Sequence, residues 1–407
     1  MAAGLFYKTA KESAVRDSFG IKLLVPVNLE PATVLSKTCR LNLIIPTLEF
    51  KHSYGGITTA IRLMRRLSSE FDAIRIIVTH QRQIEIDFLD WSEWETDRGN
   101  LAPRSIVGID DGATPVSVLP GDVFLSTAWS TAVYAREVIR RQSEFFRDAN
   151  RRFVYFLQDY ESGFYPWSVQ SWYAESTYRN TSDTIAVFNS KRLAEFFKSR
   201  GARFSDEYVL EPLMHPDLRE IRRATVTRAK ERLIYVYARN DLPRNGFDLI
   251  IDSLRLWASE YPQAHEWSIV SFGDQHEDIR LGHSVVLTSM GKGSMHRYGD
   301  YLSRCWVGVS FQFMAHPSYS RLEMAEFGAW VVTNKFENND LSDLAPNIVS
   351  VDEPTPRAVS QKLSLCCMQY RPGMSAVLEN LPEVFGDRDD EFPSASELVN
   401  DWRDRSG

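Results

Sequence analysis

The chain has 407 residues, of which 43% are hydrophobic and 25% charged, ordinary globular usage that excludes long disorder or a fibre and suggests two or three domains. A net charge of −7 gives no basic excess to draw it onto nucleic acid or an anionic bilayer by electrostatics alone. No apolar run approaches the ~20 residues of a membrane span, and the first twenty residues lack an apolar signal core. Cys39, Cys305, Cys366 and Cys367 form no C-x-x-C pair, so the expectation is reduced thiols in a cytosolic protein without structural zinc.

In chain order, a weakly patterned extension over 1–38 precedes a buried strand at Leu41 to Pro46, the pair Gly55-Gly56, and a helical pattern from Ile57 to Phe71. Strands follow at 74–79, 122–126, 153–157 and 184–188, with helices at 131–146 and 191–200, the second ended by Gly201. The segment from Leu218 to Glu231 is charged and without apolar period. The same grammar then restarts. Strands are predicted at 233–237, 267–271, 285–287, 307–310, 330–333 and 348–351, and helices at 247–261, 295–305, 319–327 and 356–370. An acidic tail carries a last helix over 394–403. Short β-branched runs separated by helices mean βαβ units with parallel sheets buried on both faces. The reading is an α/β protein with two Rossmann-like halves: a domain over 1–220, a second over 221–375, and a tail over 376–407.

In an open parallel sheet ligands bind beyond the carboxyl ends of the strands, and two such sheets predict a cleft suited to bringing a donor and an acceptor together. No G-x-G-x-x-G follows the first strand and no G-x-x-x-x-G-K-[ST] appears, which argues against a nicotinamide cofactor and a P-loop. Arg239 ends the strand at 233–237, with Arg244 just beyond, and Lys292 stands between Gly291 and Gly293 after another strand. Both cations therefore fall where a phosphate group is neutralised, Arg as a fork and Lys as a point charge. Ser318, Tyr319 and Ser320 open a helix whose N–H groups favour an anion, and Glu323 lies inside that helix, placed to accept from a ribose or sugar diol or simply to complement the helix dipole. In the first half, Gly55 and Gly56 let the backbone approach a ligand closely. Gln158-Asp159-Tyr160-Glu161 and the aromatic residues up to Trp167 combine acids with flat rings, a composition suited to sugars, so Asp159 or Glu161 is a candidate to orient an acceptor. His52, His80 and His316 show no metal spacing.

These features together resemble the GT-B glycosyltransferases of the retaining family-4 type. More narrowly, Gln158-Asp159-Tyr160-Glu161, Tyr237-Ala238-Arg239-Asn240 and the run from His316 to Asn334 are similar to the WsaF family of rhamnosyltransferases, which build bacterial S-layer glycan. The likeness covers about 40–370. It implies a GT-B fold, with the acceptor on the N-terminal domain and a nucleotide sugar, dTDP-β-L-rhamnose, on the C-terminal one. It also implies Arg239 and Lys292 on the diphosphate, Glu323 on the ribose, transfer with retention, and neither metal nor cofactor. The partners implied are the donor and a glycan or glycolipid acceptor, with peripheral membrane contact through the latter. A homodimer and a place within a larger synthase stay open. There is one departure. The family commonly has a second glutamate eight positions before the ribose one, and here that position is Ala315, followed by His316-Pro317. A nucleotide-sugar epimerase and a nonenzymatic nucleotide-sugar-binding subunit remain the alternatives.

Overall fold

A computed structural model describes residues 16–17, 20–21, 24, 26–32, 38–48, 55–81, 84, 94–97, 102–109, 114–148, 151–282, 284–378, 384–385 and 395–404. The chain divides into two compact units, Met1–Leu210 with Phe392–Gly407, and Glu211–Glu391.

The first unit is built on seven strands, β1 (Arg40–Ile45), β2 (Ala73–Val78), β3 (Arg104–Gly108), β4 (Asp122–Ser126), β5 (Phe153–Leu157), β6 (Thr184–Phe188) and β7 (Asp206–Val209). They lie side by side in the order β7-β6-β5-β4-β1-β2-β3, with the short strand Glu95–Thr96 outside β3, and every pairing is parallel. All residues of β1, β2, β5 and β6 are buried, as a sheet covered on both faces requires. The covering helices are α1 (Gly55–Leu67), α2 (Trp129–Phe146), α3 (Val169–Ser176) and α4 (Lys191–Ser199). β3 and β7 were not expected. In β3 only Ile106 and Val107 interrupt polar residues, too short an apolar run to read, yet its backbone bonds along the edge of β2.

The second unit holds β8 (Leu233–Ala238), β9 (Ser268–Gly273), β10 (Val286–Ser289), β11 (Val307–Val309), β12 (Trp330–Asn334) and β13 (Ile348–Val351), ordered β10-β9-β8-β11-β12-β13 and all parallel, with Ile279–Arg280 antiparallel outside β10. Strand residues alternate between two cores. Ile234, Val236 and Ala238 face α6 (Phe247–Glu260) and α9 (Pro356–Met368), while Leu233 and Tyr235 pack with residues of α5 (Pro216–Thr225), α7 (Met295–Arg304) and α8 (Tyr319–Glu326). α5 replaces what reads as an unpatterned charged stretch. Five of its ten residues are charged, and its inner stripe is little more than Leu218 and Ile221. That stripe is met by Gly299 of α7, where a Cβ would stand 2.9 Å from Ile221, so the missing side chain lets the two helices close.

The last helix, α10 (Ala395–Asp404), forms where the sequence predicts one and belongs to the first unit. Leu398, Val399 and Trp402 join its core, and the Trp402 indole donates Nε1–H to the carbonyl of Arg152 at 3.1 Å. The acidic composition of this tail conceals a three-residue apolar stripe at helical spacing, and that stripe is what holds it.

Candidate active site

In the second sheet the chain runs outward one way from β8 and the other way from β11, and these two strands are neighbours. A crevice opens beyond the carboxyl ends of such a pair. Arg239 follows β8, and the loop 310–318 follows β11. The two loops touch, since the N–H of Phe313 donates to the carbonyl of Arg244 at 2.8 Å. Arg244 is half-buried on a short 3₁₀ turn, Pro243–Asn245.

The ends of β8, β9 and β10 are drawn level by Gly273. Its φ of 137° lies where side chains are rarely tolerated, and a Cβ there would sit 1.8 Å from the carbonyl oxygen of Ala238. This approach lets the Asp274 N–H donate to that carbonyl at 2.8 Å, and the Gly273 N–H donate to Gly291 at 3.2 Å. Asp274 is thereby set beside Arg239, whose Nε donates to its carboxylate at 3.2 Å. Lys292, one residue past Gly291, stands at the exposed rim. Its ammonium is held below the usual lysine range by partial desolvation and by the charge of Arg239, against the opposing pull of Asp274. Arg239 and Lys292 are thus close enough to repel, and an anion received by both relieves that repulsion. Asp274 was not singled out in the sequence. The signal available was its place after Gly273 at a strand end.

Glu323 lies inside α8 and is only 8% exposed. It accepts a hydrogen bond from the Tyr298 hydroxyl of α7. Burial pushes its carboxyl up to about 7, with Glu326 adding to the rise and the Tyr298 bond opposing it. Tyr237 of β8 connects the two groups. Burial raises its phenol, Arg239 lowers it through charge and a hydrogen bond, and Glu323 and Asp274 raise it. Arg239, Lys292, Asp274, Tyr237, Glu323 and Tyr298 therefore form one electrostatically coupled cluster. Because the folded chain holds a proton on Glu323 that the unfolded chain has released, stability falls as pH rises from about 4.5 to about 7 and is level above that. Glu323→Gln keeps an acceptor for Tyr298 without the charge. It is expected to flatten that slope and to stabilise the protein by about 3 kcal/mol at pH 8, read as urea midpoints across the pH range.

Ser318, with φ of 63°, precedes α8 and gives it no side-chain cap. Instead Ser320 Oγ lies 3.2 Å from Ser310 Oγ and 3.3 Å from Ser318 Oγ. The Tyr319 ring stacks near Phe385 and tilts toward His316. Buried side chains brace the loop that leads in. Arg321 donates to the carbonyls of Pro317 at 2.9 Å and His316 at 3.3 Å. Asn339 donates to those of His316 and Met314, and Asn334 pairs with both backbone groups of Gln312. This bracing, invisible in the sequence, fixes the loop between β11 and α8 against the end of β12. Ala315 is buried within the braced loop.

Gly55, Gly56 and Asp159 lie in the first unit. Gly55 opens α1, and residues 51–54 of the preceding loop lie outside the described residues. A Cβ on Gly56 would stand 2.4 Å from Gln158 Oε1, so the start of α1 and the end of β5 meet. Asp159 is buried, and its Oδ1 accepts from the N–H of Tyr160 at 2.8 Å. Glu161 has a different task from the one expected. Its carboxylate accepts from the first N–H of α2, at Trp129, and from the Tyr155 hydroxyl, so it satisfies and charge-complements a helix N-terminus from a distance. Among the described residues no three metal-ligating side chains converge.

Sequence profiles of two domains account for most of this chain, the WsaF N-terminal domain over residues 40–191 and the WsaF C-terminal domain over residues 232–364. The chain belongs to the WsaF family. The WsaF C-terminal domain thus spans the strand that leads into Arg239 through the helix bearing Glu323. A curated relative, the O-antigen biosynthesis protein RfbC of Myxococcus xanthus, is 28% identical over 329 residues, 77% of this chain. The chain spans 23% of that relative's length. Among solved structures it is similar to Anabaena HepE in complex with UDP and glucose (TM-score 0.53, 13% identity, 89% of this chain and 95% of that one). WaaG, a glycosyltransferase involved in lipopolysaccharide biosynthesis, matches with TM-score 0.53 and 12% identity over 89% of this chain and 99% of that one. The fold of this WsaF-family chain is GT-B, and family and fold are those of glycosyltransferases. Among the described residues no helix is long and apolar enough to cross a membrane.

Proposed function

We propose that this chain transfers a sugar from a nucleoside diphosphate donor, seated on the Glu211–Glu391 unit, to a growing surface glycan or glycolipid. One observation carries the reading. Arg239 stands at the switch point of the second sheet and is coupled to Lys292, so two cations meet beyond the carboxyl ends of the strands, where a diphosphate would be received. The roles of the relatives in O-antigen and lipopolysaccharide biosynthesis, and the UDP and glucose held by HepE, point the same way.

In this proposal Arg239 and Lys292 hold the donor's diphosphate and stabilise the charge that grows on it as the glycosidic bond breaks. The Tyr298–Glu323 pair receives the ribose. A carboxyl held near half-ionisation offers an acceptor or a donor to a vicinal diol. The acceptor hydroxyl attacks the anomeric carbon from the face the nucleotide leaves, and its proton passes to the departing phosphate oxygen, so configuration is retained without a separate base. The donor proposed is dTDP-β-L-rhamnose.

A thermal-shift series with dTDP, UDP and GDP sugars tests the donor. A ligand at a hundredfold excess over its Kd stabilises the native state by ~2.7 kcal/mol, so dTDP-β-L-rhamnose is expected to raise Tm by several degrees and GDP sugars to leave it unchanged. Proton NMR of the product then reads the anomer. A preference for another nucleotide removes the rhamnose assignment, and an inverted product removes the mechanism.

A further inference from the structure

The segment after β5 carries large apolar side chains turned to solvent: Trp167 is 105% exposed, Trp172 66% and Val169 56%. Large apolar side chains gathered in solvent mark a binding surface more often than chance. Two further observations bear on this patch. Trp167 has a φ of 30°, a backbone conformation a bulky residue adopts only when its surroundings impose it. The base behind the patch is also fixed. Trp129 stacks on Tyr173 at 6.2 Å and donates its indole N–H to the Tyr165 hydroxyl at 3.1 Å. Trp172 meets Tyr173 edge-on at 5.4 Å, and Ser168 caps α3 between the two exposed indoles, accepting from the Ser171 N–H at 3.1 Å. The Trp172 ring is thus held against a fixed aromatic base, and the cap of α3 sets the backbone that follows Trp167.

Charge decides what this surface suits. Residues 153–178 contain no Lys or Arg and three acids, Asp159, Glu161 and Glu175, and the cation that follows, Arg179, is paired with Glu175 at 3.7 Å. An anionic bilayer or a polyphosphate needs cations among its aromatic anchors. A neutral saccharide needs flat π faces for its C–H groups, whose weak positive polarity matches the negative face of the ring, and oxygen acceptors at the edge. The segment also leaves the carboxyl end of β5, on the ligand side of its sheet. We propose that Trp167 and Trp172 form a stacking platform for the neutral glycan chain of the acceptor. This rests on the transferase reading above and adds an acceptor subsite to it.

The test uses the full chain and three probes. The first is a panel of neutral oligosaccharides of rhamnose, mannose, galactose and glucose, followed by saturation-transfer NMR. The second is vesicles of phosphatidylethanolamine with phosphatidylglycerol, followed by co-sedimentation. The third is the nucleotide-sugar thermal shift. Because both side chains are exposed, Trp167→Ala and Trp172→Ala fold normally. Each is expected to weaken binding of at least one glycan about tenfold, the pair more, while Trp→Phe retains most of it and donor shifts are unchanged in all. The platform is overturned if no panel glycan binds the wild type, if binding ignores both substitutions, or if vesicle binding is what the substitutions remove. If glycans bind through these residues while no nucleotide sugar does, the platform stands and the transferase reading falls.

Discussion

Arg239→Ala is expected to lower kcat/KM for sugar transfer by roughly 10²–10³, the scale seen when one preorganised group at a developing negative charge is removed. The size follows from position. Arg239 is half-buried at the switch point, its Nε already occupied by Asp274, so its remaining N–H groups are oriented before any donor arrives. Its loss also removes one donor to the Asp274 carboxylate and makes the local field more negative where a diphosphate is to sit. Arg239→Lys keeps a charge without the fork and is expected to recover only part of the rate. Lys292→Ala is expected to cost less, since its ammonium stands at the exposed rim and is partly opposed by Asp274. Steady-state kinetics with the donor at saturating and limiting concentration separates binding from turnover, and unaltered turnover in Arg239→Ala would remove the cluster from the mechanism.

The largest loss of stability is expected from Asp122→Ala, about 3–5 kcal/mol. Asp122 opens β4 and is buried between two arginines. Arg40 of β1 donates to both its oxygens at 2.8 Å, and Arg75 of β2 approaches to 3.7 Å while pairing Asp97 at 2.8 Å. Asp122 Oδ2 also accepts from the Leu119 N–H at 2.9 Å. Removing the carboxylate leaves Arg40 charged in a site with little water to screen it. Replacing the whole pair, as Arg40→Met with Asp122→Leu, is expected to cost clearly less than Asp122→Ala alone, because no charge is then stranded. Urea denaturation of the wild type and the two variants checks the ordering, and a double variant no more stable than Asp122→Ala would mean that the pair does not act as a unit. Arg40 and Asp122 sit at the amino ends of strands of the first unit, whereas the proposed donor residues belong to the second, so the effect is expected in stability and not in donor affinity.

Most of the fold was legible because its strands are buried on both faces. Leu41 to Ile45, Phe153 to Leu157 and Leu233 to Tyr237 are short unbroken apolar runs, and such runs spaced by amphipathic helices leave few architectures. Elements held by few apolar contacts were not legible. α3 buries only Ala174 and α5 a narrow stripe under charged residues, and β3 is formed by backbone bonds its side chains do not announce. The same division runs through the site. Arg239 and Lys292 could be named from their places after strands, whereas their partners could not. Asp274 is 35 residues from Arg239 and Tyr298 is 25 from Glu323, and nothing local in either pairing marks it. Glu161 shows the reverse case, an acid in a promising loop whose charge is spent on the start of α2.

From the sequence alone came the two series of parallel strands, the cations at their ends and the helix that carries Glu323, because period and strand-end position are written in neighbouring residues. The tertiary structure decided the order of the strands, and with it that β8 and β11 are parallel neighbours from which the chain proceeds to opposite edges of the sheet. It also decided that Glu323 is buried against Tyr298 and protonated up to about pH 7, and that Asp274 tempers Arg239. Those outcomes depend on which surfaces meet across a sheet, and burial and Coulomb coupling exist only once they have met.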